Sequence, residues 1–408
     1  MISKTILKVD VLTLIVMTLL LTNSLVLQAQ ELQVTGQVRH RSERVDKDFS
    51  DLTPGYGFSL LRSRLNMKFT NEKNYAFIQI QDSRKFGDAT NTLTDGSADL
   101  LDFHQAYFIV SDFVADGLNV KLGRQEVAFA NQRLIGSVGW HNVARSFDGV
   151  LVSYSAEEYL ATAFSLKETE MSALGDIGDK DVRGVWVETS FLAPTRVDVF
   201  FINQNLNPGD VLNRNTFGVY SKGSYDLGAL KLSQEIDLVS QGGTNGGNNV
   251  SATLIGSRIK IAAIHTPLKY WVGFGYDVVS GDDPATVDDE AFNTLYATNH
   301  KYYGYMDYFL NVPANAKGAG LTDIVLSAGL SPVSNFSMKV DYHLMSTSQD
   351  VAAGSDIGSE IDVTGSYGYS KYLKIKGGIE IFTPGDVFKA WKGEDRSTKA
   401  FIMTIYNF

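Results

Sequence analysis

Basic side chains recur at every second position in two segments near the N-terminus, a spacing that could bind anions. Arg39 and Arg41 form the first pair, and Arg62, Arg64 and Lys68 share one parity in the second segment. Side chains two residues apart in a β-strand point to the same face. Guanidinium groups make planar, bidentate contacts with carboxylates. The spacing therefore predicts one positive patch, which either guides anions or pairs with Asp and Glu residues to stiffen a wall.

The residues between these cations are mostly apolar, so the same segments also carry a second face. Leu61, Leu65, Met67 and Phe69 alternate with the basic and polar positions around Arg64. The pattern recurs to the C-terminus in runs of about ten residues, the length that a tilted strand needs to cross a bilayer. Charges facing lipid would be costly, so the polar parity must face a lumen. Later strands continue the apolar face with Val272, Val340 and Ile375.

The whole chain reads as strands joined by turns and loops, and no long helical stripe appears. The sequence predicts an all-β fold, a transmembrane antiparallel β-barrel of 18 strands, or of 16 if two short pieces are loops. A barrel of about this size leaves an aqueous lumen. The predicted strands are 32–45, 57–69, 74–85, 100–112, 117–129, 145–156, 158–169, 182–193, 195–205, 214–226, 228–239, 251–264, 268–280, 321–331, 335–347, 358–370, 372–383 and 397–408.

Residues 1–29 have the features of a secretory signal peptide and are set apart from the fold. Lys4 and Lys8 precede a mostly apolar core, and Ala29 ends a small-residue cleavage site. The apolar run is too short for the roughly 20 residues of a membrane anchor. The remaining chain, 30–408, shows no linker or shift in composition. It therefore predicts a single β-barrel domain in the outer membrane of a Gram-negative cell.

The composition agrees with a barrel and excludes some partners. Tyr, Phe and Trp number 19, 23 and 4, Gly is frequent at 37, and Pro is scarce at 8. Aromatic residues form the girdles of barrels, and Pro would break strand ladders. There is no cysteine, so barrel closure rather than a disulfide framework would supply stability. The net charge of −10 argues against nucleic acid as a partner.

The connections between predicted strands fall into two kinds. Short ones predict periplasmic turns, and long ones predict extracellular loops. The short turns are 72–74, 193–195 and 370–371, and the long loops are 86–99, 170–181, 240–250 and 281–320. The Gly- and Asn-rich stretch 241–249 predicts a flexible loop. Segment 281–320 is too aromatic for disorder, which favours a constriction loop folded into the lumen over an extracellular lid. Its candidate residues are Phe292, His300, Tyr303 and Asp307.

Residues that could perform catalysis or hold a metal ion show no suitable arrangement. The sequence contains no nucleophile elbow, His-Glu-x-x-His motif, Walker loop or dinucleotide fingerprint. Its six histidines are scattered without metal-ligand spacing. We therefore predict no catalytic residue, no metal and no cofactor.

Two long motifs resemble a known family. Segment 122–150 contains Gly-Arg-Gln at 123–125, Gln-Arg-Leu-Ile-Gly at 132–136, then Trp140 and Arg-Ser-Phe-Asp-Gly at 145–149. Segment 292–307 contains His-Lys-Tyr-Tyr-Gly-Tyr-Met-Asp at its end. Both resemble the alginate-export family of outer-membrane porins. The resemblance implies an 18-stranded monomeric barrel with an electropositive, Arg-lined pore through which an anionic polysaccharide leaves the cell. By motif match, the family's positions are Arg124, Gln125, Arg133, Arg145 and Asp148.

Carboxylates on the predicted lumen parity oppose the basic patch. These are Glu235, Asp237, Asp277, Asp341 and Glu380. We therefore expect a channel with weak to moderate anion preference, which passes anionic or neutral saccharides and other small hydrophilic solutes and contacts outer-membrane lipid. The alternative is a barrel without transport as its task, either an outer-membrane enzyme or an adhesin built on loop 281–320.

Overall fold

The computed structural model describes residues 31–49, 54–87, 101–170, 178–206, 211–263 and 265–408. The predicted signal peptide lies outside these residues. So does most of the predicted loop 86–99 and part of the predicted loop 170–181.

Within the described ranges, eighteen long antiparallel strands form one sheet. They are β1 (Glu31–Asp46), β2 (Tyr56–Asn71), β3 (Asn74–Lys85), β4 (Asp102–Val110), β5 (Leu118–Gln125), β6 (Phe147–Ser155), β7 (Tyr159–Thr169), β8 (Lys180–Thr189), β9 (Thr195–Leu206), β10 (Leu212–Leu227), β11 (Leu230–Asn245), β12 (Ala252–Ala263), β13 (Trp271–Val279), β14 (Leu321–Val333), β15 (Phe336–Val351), β16 (Gly354–Gly368), β17 (Leu373–Pro384) and β18 (Ser397–Asn407). A two-residue strand, Asn248–Asn249, extends the β11–β12 hairpin.

The first and last strands pair, which closes the sheet into a barrel. Arg39 of β1 lies opposite Ile405 of β18 in an antiparallel register. The amide of Gly36 donates to the carbonyl of Phe408 (2.8 Å), and the amide of Phe408 donates to the carbonyl of Gly36 (3.0 Å). A membrane-spanning sheet needs this closure because lipid offers no partners to unpaired backbone groups. The prediction of an 18-stranded all-β barrel is thus confirmed, and the 16-strand alternative is wrong.

The helical segments are short and lie between strands. They are a 3₁₀ turn (Asn299–Lys301), α1 (Val312–Asn315) and α2 (Asp386–Trp391). Phe388 of α2 packs against Phe382 of β17, with ring centroids 4.7 Å apart. In the described part of the chain, no helix has the length and apolar character needed to cross a membrane.

The prediction of a flexible loop at 241–249 is wrong. Strand β11 continues to Asn245, which pairs with Leu212 of β10. The glycines of this stretch serve a hairpin instead, because Gly246 and Gly247 adopt the positive φ angles (58° and 88°) that a tight turn needs. Low sequence complexity here reflects the geometry of a turn at the end of a long ladder.

The predicted strands 117–129 and 145–156 are longer than the observed ones. Strand β5 ends at Gln125 and β6 begins at Phe147, which leaves a connection of residues 126–146. Val127 and Phe129 keep the alternation of a strand, yet both are buried in a core inside the barrel. The alternating pattern therefore continues beyond the strand, because this connection packs inward.

The two faces of the wall follow the predicted parity. Leu65, Val272 and Val340 are exposed on the outer surface at 38%, 58% and 39%, whereas the neighbouring Asp341 is 6% exposed. Ile375 is only half-buried, as is Lys376 beside it. The start of β1, the end of β18 and the short turns lie at one end of the barrel and the long connections at the other, as an even number of antiparallel strands requires.

Arginine substitution on neighbouring strands tests these faces. We expect Val340→Arg on β15 to cost about 2–4 kcal/mol of folding free energy, because the charge would face hydrocarbon. Thr364→Arg on β16, which faces the lumen, should cost far less. Folding into liposomes, followed by denaturant titration, would measure both. Equal losses would show that the faces are wrongly assigned, and the substitutions Leu65→Arg and Asn66→Arg provide a second matched pair.

Candidate functional site

Two loops fold into the barrel and pair with each other. Residues 126–146 connect β5 to β6, and residues 280–320 connect β13 to β14. The amide of Gly136 donates to the carbonyl of Tyr296 (2.9 Å), and the amide of Tyr296 donates to the carbonyl of Leu134 (2.8 Å). We refer to the two segments as the paired loops, since these bonds join them into one unit.

A hydrophobic core inside the barrel holds the paired loops against the wall. Phe292 and Met306 of the second loop are fully buried, and Tyr303 is 1% exposed. Phe129 of the first loop stacks on Trp186 of β8 with ring centroids 5.0 Å apart. Burying one large apolar side chain contributes about 1.5–3 kcal/mol. The part of the second loop from Phe292 to Phe309 therefore packs inside the barrel, with Phe292 and Tyr303 among its packing residues.

Arg133 connects the first loop to the second loop and to the wall. Its Nε donates to Asp237 (3.0 Å), and its Nη1 donates to Asp277 (3.1 Å) and to the Tyr303 hydroxyl (3.3 Å). The guanidinium also lies 3.9 Å from the centroid of the Tyr302 ring. Burial alone would lower the pKa of Arg133, but Asp277, Tyr303 and Asp237 outweigh it and raise the pKa. This fully enclosed cation is held by carboxylates on two different strands.

Carboxylates of β16 bind the tip of the second loop. Glu360 accepts the amide of Met306 (2.7 Å), and Asp362 accepts the amide of Tyr305 (3.0 Å). Gly304 precedes them with φ +80°, and a Cβ there would lie 2.4 Å from the Glu360 carboxylate. Only glycine tolerates both this backbone conformation and this close approach. The tip is thus fixed to the wall by two hydrogen bonds from its backbone amides.

Cations bind the same tip through Asp307. His300 Nδ1 lies 2.5 Å from one carboxylate oxygen of Asp307, and Lys399 donates to the other (3.2 Å). Lys47 donates to the carbonyl of Met306. Burial would raise the pKa of Asp307, but His300, Lys399 and Lys47 outweigh it and lower the pKa to about 2. Asp307 is therefore an ionised carboxylate that ties the tip to Lys399 of β18, while Lys47, which directly follows β1, holds the tip through the carbonyl of Met306.

Arginines of β1 bind the backbone of the first loop. Arg39 donates to the carbonyl of Gly139 (2.6 Å), and Arg41 donates to the carbonyl of Trp140 (2.5 Å). Non-helical backbone inside a barrel needs such donors, because its carbonyls have no ladder partners. The basic positions that sequence parity groups together thus converge on the 126–146 loop.

Four arginines, Arg39, Arg41, Arg62 and Arg64, form a cluster beside the first loop. Their charges are only partly compensated by carboxylates. Arg41 pairs with Glu43 (2.6 Å), and Arg64 pairs with Glu126 (3.0 Å). Within the described residues, the other two arginines of the cluster, Arg39 and Arg62, have hydrogen bonds but no carboxylate within ion-pair distance. Burial lowers the pKa of His141 in the first loop, and Arg41 and Arg39 lower it further. A net positive potential therefore remains on this side of the lumen.

The other predicted site residues lie away from the cluster. Lys68 sits nearer the turn end of β2, with its ammonium 4.3 Å from the centroid of the Tyr75 ring. Arg124 and Asp148 form an exposed ion pair (2.9 Å) on the outer parity of β5 and β6. The single patch expected from all five basic residues is thus a cluster of four, without Lys68.

Two further motif positions donate hydrogen bonds to backbone carbonyls. Gln125 is fully buried and donates to the carbonyls of Gly123 (3.2 Å) and Gly149 (3.1 Å). Arg145 donates to the carbonyl of Tyr296 and thereby links the end of the first loop to the second. Both residues hold backbone rather than a surface that a solute can reach.

A basic cavity of about 660 Å³ lies beneath the paired loops on the side of the short turns. Five cationic residues are among those that line it, namely Arg39, Arg62, Lys301, Lys339 and Lys376. No Asp or Glu is found among the described residues of its lining. Lys376 makes no side-chain hydrogen bond or ion pair within the described part of the chain, so its ammonium is available to a solute.

Three stacked rings form one side of this cavity. Trp140 of the first loop lies parallel to His300 of the second, with centroids 4.3 Å apart, and His300 stacks on Tyr305 at 4.6 Å. Arg41 lies 4.0 Å from the centroid of the Trp140 ring. Aromatic walls with a few charged groups are typical of binding pockets for small molecules. The arrangement offers an apolar surface beside several cations.

Most carboxylates of the predicted lumen parity are neutralised. The ion pairs join Asp237 to Arg133, Asp277 to Arg133 and Arg258, Asp341 to Lys339, and Glu235 to Lys222. Glu380 is fully buried and lies opposite Lys399 in the β17–β18 register. These acids therefore bind the wall and the paired loops rather than line the basic cavity.

Sequence reasoning does not single out several residues of the cavity. Lys376 lies on the lumen parity of its strand, so alternation alone contains a signal for it. Lys301 and Tyr305 belong to the aromatic loop, but nothing in the sequence distinguishes them from buried neighbours. Trp140 lies in a motif, yet its exposure to the cavity depends on the inward path of the first loop.

A closed barrel with inward loops and a charged cavity defines a channel of the outer membrane. The chain matches the alginate export family over residues 30–401 and belongs to that family. It is accordingly an outer-membrane channel for small solutes, with the family and fold of channels rather than enzymes. No curated protein matches the chain.

Solved outer-membrane proteins share the fold at low sequence identity. OccAB4 of Acinetobacter baumannii is 12% identical with a TM-score of 0.66, and the match covers 93% of this chain and 99% of that one. OpdL of Pseudomonas aeruginosa is 11% identical with a TM-score of 0.67 and the same coverage. A BenF-like porin from Pseudomonas fluorescens Pf-5 is 13% identical with a TM-score of 0.65, over 93% and 98%. At these identities the likeness establishes the fold alone.

Two arginines of one motif should differ sharply in their effect on the paired loops. Arg133→Met removes a buried cation and leaves Asp237 unpaired, a change that typically costs about 3–5 kcal/mol. Arg124→Met breaks only an exposed pair, worth at most about 1 kcal/mol. Hydrogen exchange of amides in 126–146 and 292–306 should therefore accelerate in Arg133→Met alone. Similar exchange in both variants would contradict the anchoring role of Arg133.

The loop tip should stay bound over the neutral and mildly acidic range. The pKa of Asp307 is lowered from 3.8 to about 2. Its carboxylate therefore stabilises the folded state fully above pH 3.8, and this stabilisation is lost as the pH falls through the folded value. Tryptophan fluorescence should thus show an acid transition between about pH 4 and 2 that Asp307→Asn lacks. A transition of the wild type above pH 5 would contradict this assignment.

Proposed function

We propose that this channel passes anionic saccharides and chemically similar small anions through the basic cavity. The observation that carries the proposal is the lining itself, which combines five cations with no carboxylate among its described residues. Rings of one sign of charge lower the barrier for ions of the opposite sign. Arg39 and Arg62 contribute charge without an ion-pair partner, and Lys376 contributes a free ammonium.

The stacked rings favour a solute that carries a ring as well as a charge. Because Trp140 and Tyr305 cover the two faces of His300, the stack presents ring edges to the cavity. These edges contact the apolar side of a sugar while a nearby cation binds its carboxylate. A uronate unit has this chemistry. An aromatic carboxylate is the second candidate. The fold is shared with Pseudomonas aeruginosa OpdK, which is 12% identical to this chain and whose structure was solved with vanillate.

We also propose a monomer as the functional unit, because one closed sheet encloses a complete lumen.

Reversing one charge of the cavity tests the proposal without loosening the loops. Lys376→Glu changes the local charge by two units, whereas Lys371→Glu makes the same change in a short turn outside the cavity. In planar bilayers at about 0.1 M salt, where screening extends over about 10 Å, the first variant should shift the reversal potential toward cations. Block of the current by glucuronate should weaken about fivefold or more, as expected for at least 1 kcal/mol.

Comparison solutes separate the candidates. Glucose should block weakly, and benzoate reports whether aromatic acids bind better than uronates.

Replacing both Arg62 and Arg64 with Glu should also shift selectivity, and its effect should shrink at 1 M salt, where the Debye length is about 3 Å. A cation-selective wild type, or unchanged selectivity in Lys376→Glu, would contradict the proposal.

A further inference from the structure

An apolar groove runs along the outer surface of the barrel where β15 to β18 meet β1. It encloses about 620 Å³. Its outward-facing walls are formed by apolar side chains that remain exposed, including Met338, Ile379 and Ile402 at 40%, 56% and 55%. We call this surface the outer groove.

The outer groove exists because its floor lacks side chains. Gly365 of β16 lies directly opposite Gly377 of β17 in the register. A Cβ added at Gly365 would meet no atom closer than 3.9 Å, so nothing of the protein fills this space. Glycine weakens a strand unless something approaches its backbone. A ligand that lies over the two glycines would supply that contact.

Arg44 lines the end of the groove that is nearer the long loops. It belongs to the outward parity of β1, where it lies opposite Gly57 of β2 and Ala400 of β18. Both neighbours are small, so the guanidinium is exposed on the outer surface. No hydrogen bond, ion pair or ring contact involves its side chain within the described part of the chain.

The height of Arg44 places it near the outer edge of the membrane. Leu32, an exposed apolar residue opposite Phe69 at the turn end of the barrel, is twelve residues earlier in β1. Twelve residues span about 40 Å along a strand, or about 30 Å along the membrane normal at a tilt near 40°. The apolar band of such barrels is about 25 Å tall. An unpaired cation at that level lies where lipid headgroups begin.

We propose that the outer groove binds a phosphorylated lipid of the outer leaflet, whose phosphate contacts Arg44 and whose acyl chain covers Gly365 and Gly377. Arginine binds phosphate through two parallel hydrogen bonds. The nearby hydroxyls of Ser42 and Ser59, which bond each other at 2.7 Å, add polar partners beside it. The groove thus joins an anion site to an apolar slot in the order in which a lipid presents its headgroup and chain.

A second copy of the chain fits the groove less well. Two-fold symmetric contacts bring the same surface patch of each subunit together. Such a contact centred on this groove would bring two Arg44 side chains close to each other in a membrane environment, where like charges repel strongly. A lipid phosphate compensates the charge instead.

Native mass spectrometry of the full barrel in detergent tests the proposal, with diphosphoryl lipid A as the probe and diacylglycerol as the uncharged comparison. The wild type should retain one lipid A in preference to diacylglycerol. Arg44→Gln should weaken lipid A binding about tenfold, and Gly365→Leu should weaken binding of both probes by filling the slot. Arg183→Gln is the matched control, since Arg183 is an exposed arginine elsewhere on the wall that pairs with Asp181 (2.9 Å).

Heat-dependent gel mobility confirms that each variant is folded before binding is compared. Equal lipid A binding by wild type and Arg44→Gln would overturn the proposal, as would equal retention of diacylglycerol. A stable dimer that excludes both lipids would assign the groove to a second copy. Channel conductance should not change in Arg44→Gln, so the outcome does not depend on the proposed solute.

Discussion

The interior of this barrel depends on hydrogen bonds from arginines to backbone carbonyls. Lipid and a closed wall leave no ladder partners for irregular chain at membrane depth. Arg39 and Arg41 supply those partners to the 126–146 loop, and Glu360 and Asp362 supply acceptors to the tip of 280–320. The wall therefore uses its charges first to hold the loops. The proposed anion selectivity rests on the charge that remains.

Within the described part of the lumen, charges that pair in a buried network lie apart from cations that have no ion-pair partner. Arg133 and its carboxylates form a closed, buried network that contributes little field to the pore. Around the cavity below the paired loops, Lys339 pairs with Asp341, but Arg39, Arg62 and Lys376 have no ion-pair partner among the described residues. This separation explains why a chain of net charge −10 can present a basic surface to a solute. Net charge describes the whole molecule, whereas the permeation barrier depends on the few groups that line the path.

Sequence alternation predicts the wall well because the period of two and the membrane thickness are local constraints. It yields the eighteen strands in order, with Val272 and Val340 outward and Asp341 inward. It fails at Val127 and Phe129, where alternation continues beyond the end of β5 because the loop buries the same parity in an inner core. The roles of the arginines are also hidden from the sequence, because their partners are carbonyls contributed by distant segments of chain.

Those distances along the chain determine when the interior can form. The three hydrogen-bond partners of Arg133 lie 104, 144 and 170 residues after it. Contacts between distant residues form late because closing a long segment of chain costs entropy. The first loop reaches its final path only after β11, β13 and the second loop have been placed. During assembly the barrel therefore passes through a stage in which its wall is largely built and its lumen still lacks the barrier of the finished channel.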